Sequence, residues 1–184
     1  MFLNILVSVD YNAILITITV IAIMILILYM TLVILSFSFM HVFKKKINKG
    51  KEVINVVLFQ KYESLMKISE LYKDIIPVDS PLAIFGKNEY LKKYNVLKAE
   101  EFENFYNYSE SILNEAKKVF VNYDLEDMSL INEIFNTIEE LNKKYFEAIQ
   151  LYNTNVIGYN YWRDLFSTRW LKNLLFIKKI DTIK

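Results

Sequence analysis

An uncharged apolar stretch near the N-terminus limits what the chain can fold into. No Asp, Glu, Lys or Arg stands between Asp10 and Lys44. About 20 apolar residues are enough to cross the ~30 Å hydrocarbon core of a bilayer. The Thr and Ser hydroxyls of this stretch can bond to the preceding helical turn, so they require no aqueous pore. The pattern predicts a lipid-embedded transmembrane helix over residues 13–43 rather than a buried helix of a soluble fold.

The charges on either side of the predicted span set its orientation. Residues 1–12 contain no Lys or Arg, whereas a group of lysines follows the span directly. Because basic loops stay on the cytoplasmic side, we expect a single-pass protein of the cell membrane with residues 1–12 outside and residues 51–184 in the cytoplasm. Residues 44–50 form the basic flank or hinge. The membrane-flank lysines are Lys44, Lys45, Lys46, Lys49 and Lys51. Recognition of anionic lipid is a second interpretation of this run.

Composition argues against several functional classes. The residues after Phe43 carry all 22 Lys and Arg and, once Asp10 is set aside, 20 of the 21 acidic residues, a balance unlike that of a nucleic-acid binder. There is no Cys, which excludes disulfides and Cys-ligated metal sites. The single histidine, His41, has no acidic pair nearby, and no phosphate loop or dinucleotide fingerprint is present. We therefore expect no enzyme activity, no catalytic residue, no metal, no cofactor and no small-molecule substrate.

Beyond the lysines, hydrophobic periodicity predicts only helices. The predicted helices are residues 51–76, 98–121 and 128–166. Pro77 and Pro81 end the first of them, and residues 82–97 stay ambiguous between loop and helix, with Asn88 a candidate N-cap. No segment alternates with the period of two of a strand. The fold class is therefore all-α: a single N-terminal transmembrane helix followed by an antiparallel helical bundle of long helices.

Each predicted helix carries one apolar stripe with the three-and-four spacing of a coiled-coil seam. Lys61 falls on the first stripe, where we expect its stem to snorkel at the edge. Gly50 is either a hinge or a point through which the helix passes straight out of the membrane. The stripes are Ile54, Leu58, Leu65, Ile68, Tyr72 and Ile75; Phe102, Phe105, Ser109, Ile112, Ala116 and Val119; and Ile131, Ile134, Ile138, Leu141, Tyr145, Ala148, Tyr152, Val156 and Tyr159.

Residues near both ends of the soluble part resemble the LemA family. Two Tyr-Asn steps stand seven residues apart, at Tyr152-Asn153 and Tyr159-Asn160, and Phe166 follows where that family has Phe-Pro, with Ser167 in place of the Pro. Leu58, Lys61, Tyr62 and Leu65 resemble its segment of Leu, a basic residue, Tyr and an aliphatic residue. The middle of the domain matches poorly. The resemblance implies one N-terminal span, a cytoplasmic helical bundle and no catalytic residue.

The paired Tyr-Asn steps are the candidate partner-binding residues. Residues seven apart return to nearly the same helix face, so Tyr152 and Tyr159 share one stripe and Asn153 and Asn160 the adjacent one. A structural role, with each Asn bonded to a neighbouring helix, is favoured over a partner site.

Beyond these residues the C-terminal tail mixes Trp, Leu and basic residues, as an amphipathic helix on an anionic membrane does. We expect the tail to pack on the bundle instead, because three helices of alternating direction would end far from the lipid. The expected function is that of a membrane-anchored scaffold or adaptor, bound to the bilayer and to a protein partner or a second copy. The alternative is a structural subunit whose span packs with others, although the span lacks a small-xxx-small stripe.

Overall fold

The computed structural model describes residues 11–87, 97–121, 129–165 and 168–183. Several expectations lie outside these residues: the segment 1–10, the candidate cap Asn88, the connection at 122–127, and Phe166 and Ser167 of the LemA-like signature. The helices are α1 (Tyr11–Leu71), α2 (Pro81–Lys87), α3 (Ala99–Val121), α4 (Ser129–Asp164) and α5 (Leu171–Leu174). No strand occurs among the described residues, so the all-α prediction is confirmed to that extent.

Helix α1 is longer than any predicted element. It includes the predicted span, the lysine flank and most of the predicted first helix, and it passes through Gly50 without a break. It ends at Leu71, five residues before the predicted end, and residues 72–76 form turns ahead of Pro77. Among the described residues one helix, α1, is long and apolar enough to cross a membrane, and only 6% of its 18-residue apolar window is buried.

Local capping explains where α2 and α3 begin. Pro81 occupies the first position of α2, where its missing N–H costs nothing, and Ser80 Oγ accepts a hydrogen bond from the Ala83 N–H at 3.1 Å. At α3, Glu101 Oε2 accepts the Lys98 N–H at 2.7 Å, which is the second half of a capping box. The predicted start of this helix at Lys98 is therefore off by a single residue.

The chain forms two compact units. The first unit contains residues 1–42 and 159–179, and the second contains residues 43–158 and 180–184. Helices α1 and α4 each contribute to both. Each unit is described by itself below.

Within the second unit, α1 and α3 run in the same direction. Tyr62 contacts Phe105 with ring centroids 6.5 Å apart, and Tyr72 contacts Phe120 at 5.0 Å. The numbers of the contacting residues rise together on α1 and α3, as they do in parallel helices. The chain returns between them: Ser69 donates to the Leu82 carbonyl at 3.3 Å, and Leu97 bonds back to Asn55. The break after Pro77 thus starts a returning leg that begins with α2.

Helix α4 runs opposite to α3. The ring centroids of Tyr106 and Tyr145 lie 4.3 Å apart, and those of Phe120 and Phe135 lie 6.3 Å apart. The residue numbers on α4 therefore fall as those on α3 rise. All nine predicted stripe residues of α4 are buried. On α3 the prediction of Val119 was wrong, because the seam turns to Phe120 at the last turn.

The core of the second unit lies where α1, α2, α3 and α4 meet. Its buried members include Leu65, Ile68, Leu82, Phe85, Ile112, Leu113, Ala116, Phe120, Ile131 and Ile138. The contacts within this unit show why the expectation about the tail rested on a wrong geometry. That expectation assumed three helices of alternating direction, whereas within this unit α3 repeats the direction of α1 and α4 runs back.

Candidate functional site

Lys61 is the most deeply buried Lys, Arg, Asp or Glu side chain among the described residues of the second unit. Only 1% of it is exposed, and the prediction that it snorkels at the edge was wrong. Its ammonium forms an ion pair with Glu110 Oε1 on α3 and lies 4.0 Å above the centre of the Tyr106 ring. A charge taken out of water needs such partners, since an isolated buried ammonium is very costly. The lysine therefore stays on the stripe because α3 supplies both a carboxylate and a π face.

The group around Lys61, which we call the lysine cluster, extends to α4. Asn142 Nδ2 donates to the same Glu110 Oε1 at 2.9 Å, so this oxygen accepts from two helices. Tyr145 of α4 stacks on Tyr106 with the rings 1° from coplanar. The lysine cluster consists of Lys61, Tyr106, Glu110, Asn142 and Tyr145, contributed by three helices. It joins those helices at one level of the unit.

Burial dominates the electrostatics of the lysine cluster. Desolvation lowers the pKa of Lys61, and the hydrogen bond and charge of Glu110 oppose this shift. Desolvation raises the pKa of Tyr145, with further contributions from Tyr106 and Glu103, and likewise raises that of Tyr106. Asn142 Oδ1 is buried with no hydrogen-bond partner. The Lys61 ammonium and the Glu110 carboxylate are bonded to each other, and Glu110 also accepts from α4, so these contacts connect the three helices.

Two asparagines each bond the backbone of a residue outside the helices, in the same way. Asn153 Nδ2 donates to the Ile183 carbonyl at 2.7 Å, and Asn153 Oδ1 accepts the Ile183 N–H at 2.8 Å. Asn55 makes the equivalent pair of bonds with Leu97, at 3.5 and 3.0 Å. A side-chain amide presents one donor and one acceptor, and so matches the backbone groups of a single residue. Each clasp fastens the end of a returning segment to a long helix.

The predicted partner-binding residues divide between the two units. Tyr152 and Asn153 lie in the second unit, where the Tyr152 hydroxyl donates to the Asp181 carbonyl at 3.5 Å and its ring is fully buried. Tyr159 and Asn160 lie in the first unit, where Tyr159 is buried and Asn160 half-buried. Burial raises the pKa of both tyrosines. For Tyr152 and Asn153, the contacts match the structural interpretation, with the C-terminal segment in place of the expected neighbouring helix.

The membrane-flank lysines stay at the surface. Lys44, Lys45, Lys46 and Lys49 are exposed and Lys51 is half-buried. The Lys46 ammonium lies 5.7 Å from the centre of the Phe43 ring, one turn earlier on α1. The lysines are thus available to a charged surface.

In the first unit the C-terminal segment contacts the apolar part of α1. The Trp162 ring stacks on Phe39 with centroids 4.5 Å apart, and the Trp170 indole N–H donates to the Tyr29 hydroxyl. Arg163 and Lys172 both bond Asp164 Oδ1, at 2.9 and 2.5 Å, and Arg163 Nε also donates to the Ile177 carbonyl. The Thr168 hydroxyl bonds to carbonyls at the end of α4, which fixes the turn after it. Two aromatic residues of this segment, Trp162 and Trp170, therefore lie against α1.

Sequence reasoning missed the partners of these side chains. The sequence pattern did not indicate Glu110, Asn142 or Asn55 as partners, because each stands among the polar residues that flank a stripe. The one available signal was Lys61 itself, a charge placed on an otherwise apolar stripe. Within the described residues, no group of three or more His, Cys, Asp or Glu side chains is arranged to hold a metal ion.

No protein-family model matches this chain, and no curated protein or solved structure is significantly similar to it.

Proposed function

We propose that this chain is a membrane-anchored helical scaffold similar to the LemA family. In this proposal α1 crosses the bilayer once, with the N-terminus outside, and the second unit forms a bundle in the cytoplasm that presents helix faces to a protein partner. The observation that carries the proposal is the exposed, uncharged start of α1, which no part of the described chain covers from Tyr11 to Leu28. Exposed apolar surface of this extent is stable in lipid and not in water.

The arrangement of charge supports the orientation. All membrane-flank lysines follow the apolar run on the same helix, and no Lys or Arg precedes it. Helix α4 runs opposite to α3 and α1, which are parallel to each other, and this supports a bundle of mixed helix directions. The lysine cluster and the two asparagine clasps hold such a bundle together without leaving a reactive group open.

A candidate partner surface lies on α1 beyond the lysines. Val53, Val56 and Phe59 are spaced by three residues and are all about half exposed, although they are apolar. They lie on the side of α1 that turns away from its buried stripe. An apolar row on a rigid helix is the kind of surface that a partner helix covers.

Site-specific photo-cross-linking in the full membrane-bound chain tests the scaffold role. A cross-linking residue at Val56 should give a discrete adduct, whereas the same residue at the exposed Lys143 of α4 should give none. An adduct of twice the chain mass would identify a second copy as the partner. Equal, heterogeneous cross-linking at both positions, or no adduct at either, would contradict a scaffold that uses this face. Replacing the apolar run by an unrelated span should leave the adduct intact, and its loss would favour the subunit alternative.

A further inference from the structure

The apolar run of α1 changes character at Tyr29. Every residue from Tyr11 to Leu28 is exposed. After that point a buried stripe begins, with Val33, Ser36 and Met40 all under 10% exposed. The spacing of three and four is that of a helix face packed on protein. The sequence showed one uniform run, but the structure divides it into an uncovered part and a part covered on one side.

The C-terminal segment lies along the covered part. Trp162 contacts Phe39 and Trp170 contacts Tyr29. From Trp162 to Trp170 the segment therefore runs toward the N-terminal end of α1. Trp170 reaches the last covered position, Tyr29. The end of the covered part and the bond between these two aromatic side chains therefore coincide.

The charges of the segment limit how deep it lies. Residues 159–179 contain Arg163, Arg169, Lys172, Lys178 and Lys179 against the single acid Asp164. A Lys or Arg at the centre of a bilayer is strongly unfavourable. If the hydrocarbon covered residues 13–43, most of these charges would lie inside it. They stay in hydrated surroundings only if the hydrocarbon ends near Tyr29.

The exposed face of the segment mixes apolar and basic side chains. Trp170 is 57% exposed and Phe176 is 85% exposed, and Arg169, Lys178 and Lys179 are exposed around them. Phe176 also has a φ of 52°, in the left-handed region that is unfavourable for a non-glycine residue. The unfavourable backbone conformation of Phe176 is compensated if its large ring is buried in lipid.

We propose that Tyr29 marks the edge of the hydrocarbon core and that residues 170–179 form a second membrane-contacting surface, which binds anionic phospholipid head groups. Trp170, Leu175 and Phe176 enter the interface, and Arg169, Lys178 and Lys179 pair with lipid phosphates. This rests on the proposed membrane anchoring of α1. The uncovered part, Tyr11–Leu28, has 18 residues and measures about 27 Å as a helix, close to the thickness of the core. Trp and Tyr are the side chains that collect at this depth.

Cysteine accessibility in reconstituted membranes tests the position of the edge. The chain has no Cys, so single replacements give unambiguous labelling. Ile25 and Ile34 are exposed to almost the same extent, 62% and 66%, on either side of Tyr29. Ile25→Cys should resist a maleimide until the bilayer is dissolved, whereas Ile34→Cys should react nearly as fast as the control Leu151→Cys, at a position on α4 that is 63% exposed. Protection of Ile34→Cys equal to that of Ile25→Cys would overturn the proposal. Free reaction of both would instead refute membrane anchoring itself.

Quenching of Trp170 tests the lipid contact. Trp162→Phe keeps a ring on Phe39 and leaves Trp170 as the sole tryptophan. In vesicles of phosphatidylcholine and phosphatidylglycerol, bromine near the head group should quench its emission more than bromine near the chain ends. Quenching should fall in pure phosphatidylcholine and at high salt.

Charge variants separate lipid binding from simple burial. Replacing Arg169, Lys178 and Lys179 with Gln should remove most of the additional Trp170 quenching that is seen when phosphatidylglycerol is present. The matched replacement of Lys117, Lys143 and Lys144, all in the second unit, should not change it. Strongest quenching by the deep bromines, no quenching at all, or an anionic increment that survives in the first variant would each contradict the proposed surface.

Discussion

At the scale of single residues, the lysine cluster is the most consequential feature of the second unit. Lys61 is buried, and its ammonium depends on Glu110 and the Tyr106 ring. Removing one member of a buried pair leaves the other charge uncompensated, whereas replacing both by apolar residues is often neutral or stabilising. The cluster thus fixes which helices meet at this level, and the coupling between its charges is measured by changing each partner alone and both together.

A double-mutant cycle measures that dependence. Glu110→Gln should lower the free energy of unfolding by on the order of 3 kcal/mol, since it leaves the ammonium without a counter-charge. Lys61→Met alone should cost less, because Glu110 keeps partial access to water and its bond from Asn142. Lys61→Met with Glu110→Leu should recover most of the loss. The measurement is denaturant unfolding of the detergent-solubilised chain, and strictly additive effects would refute the coupling.

Alkaline pH provides a second test at this scale. The pKa of Tyr145 is raised by burial above its ordinary value of 10.0. As the pH rises above 10, the unfolded chain loses its proton first, so stability must fall there. Tyr145→Phe should remove part of that alkaline loss, whereas Tyr161→Phe, at an exposed position, should not. Identical pH profiles of thermal unfolding for Tyr145→Phe and the parent chain would contradict the assignment.

At the scale of elements, close approach of α1 and α4 within the second unit depends on two glycines that act differently. A Cβ on Gly158 would lie 2.6 Å from Phe43 Cε1, nearer than any real contact. A Cβ on Gly50 would lie 3.5 Å from the Tyr152 Cβ, which is ordinary contact. The two helices therefore approach at Gly158 because that residue has no side chain, while Gly50 is tolerated within a continuous helix.

Paired alanine substitutions separate these roles. Gly50→Ala should stabilise by about 0.5–1 kcal/mol, since alanine is the better helix former. The free energy of unfolding of Gly158→Ala should be lower than that of Gly50→Ala by about 1–3 kcal/mol, the typical cost of overpacking. Phe43→Leu in the Gly158→Ala chain should recover part of the difference. Equal gains from both alanines in thermal unfolding would show that the Phe43 ring simply moves aside.

The asparagine clasps give a further prediction for elements. Asn153→Ala removes both bonds to Ile183 and should cost about 1–3 kcal/mol of local stability, because two backbone groups lose their partners. Hydrogen exchange at residues 180–183 should accelerate while α3 stays protected. Asn160→Ala, in the other unit, is the comparison. If Asn153→Ala leaves exchange and melting unchanged but abolishes the Val56 cross-link, the asparagine belongs to a partner site.

At the scale of the whole molecule, the distribution of charge along the chain predicts its topology. A cytoplasm-dependent reporter fused after Lys184 should be active, because every basic residue follows the apolar run. Placing three lysines ahead of Phe2 and changing Lys44, Lys45 and Lys46 to Gln should invert or mix the orientation. Changing Lys117, Lys143 and Lys144 to Gln is the matched control and should leave it unchanged. Digestion of the C-terminal part by protease added to intact cells would contradict the proposed topology.

Local sequence was enough for most of α1, α3 and α4, but not for α2 or α5. The uncharged run, the stripe of nine residues on α4 and the ends of α3 all follow from periodicity and capping, which act over a few residues. Periodicity also identified Lys61 as a charge on a buried face. It did not give the partner, since Glu110 lies 49 residues away and only packing brings the two together.

Tertiary structure alone decided directions and coverage. Whether α3 runs with or against α1 depends on where the segment after Pro77 returns, and the clasp between Asn55 and Leu97 sets that across 42 residues. The division of the apolar run at Tyr29 depends on Trp170, which is 141 residues distant. Hydropathy is uniform on both sides of that point, because a side chain suited to lipid is equally suited to a protein interior. Which of the two surrounds it is determined by contacts with distant parts of the chain.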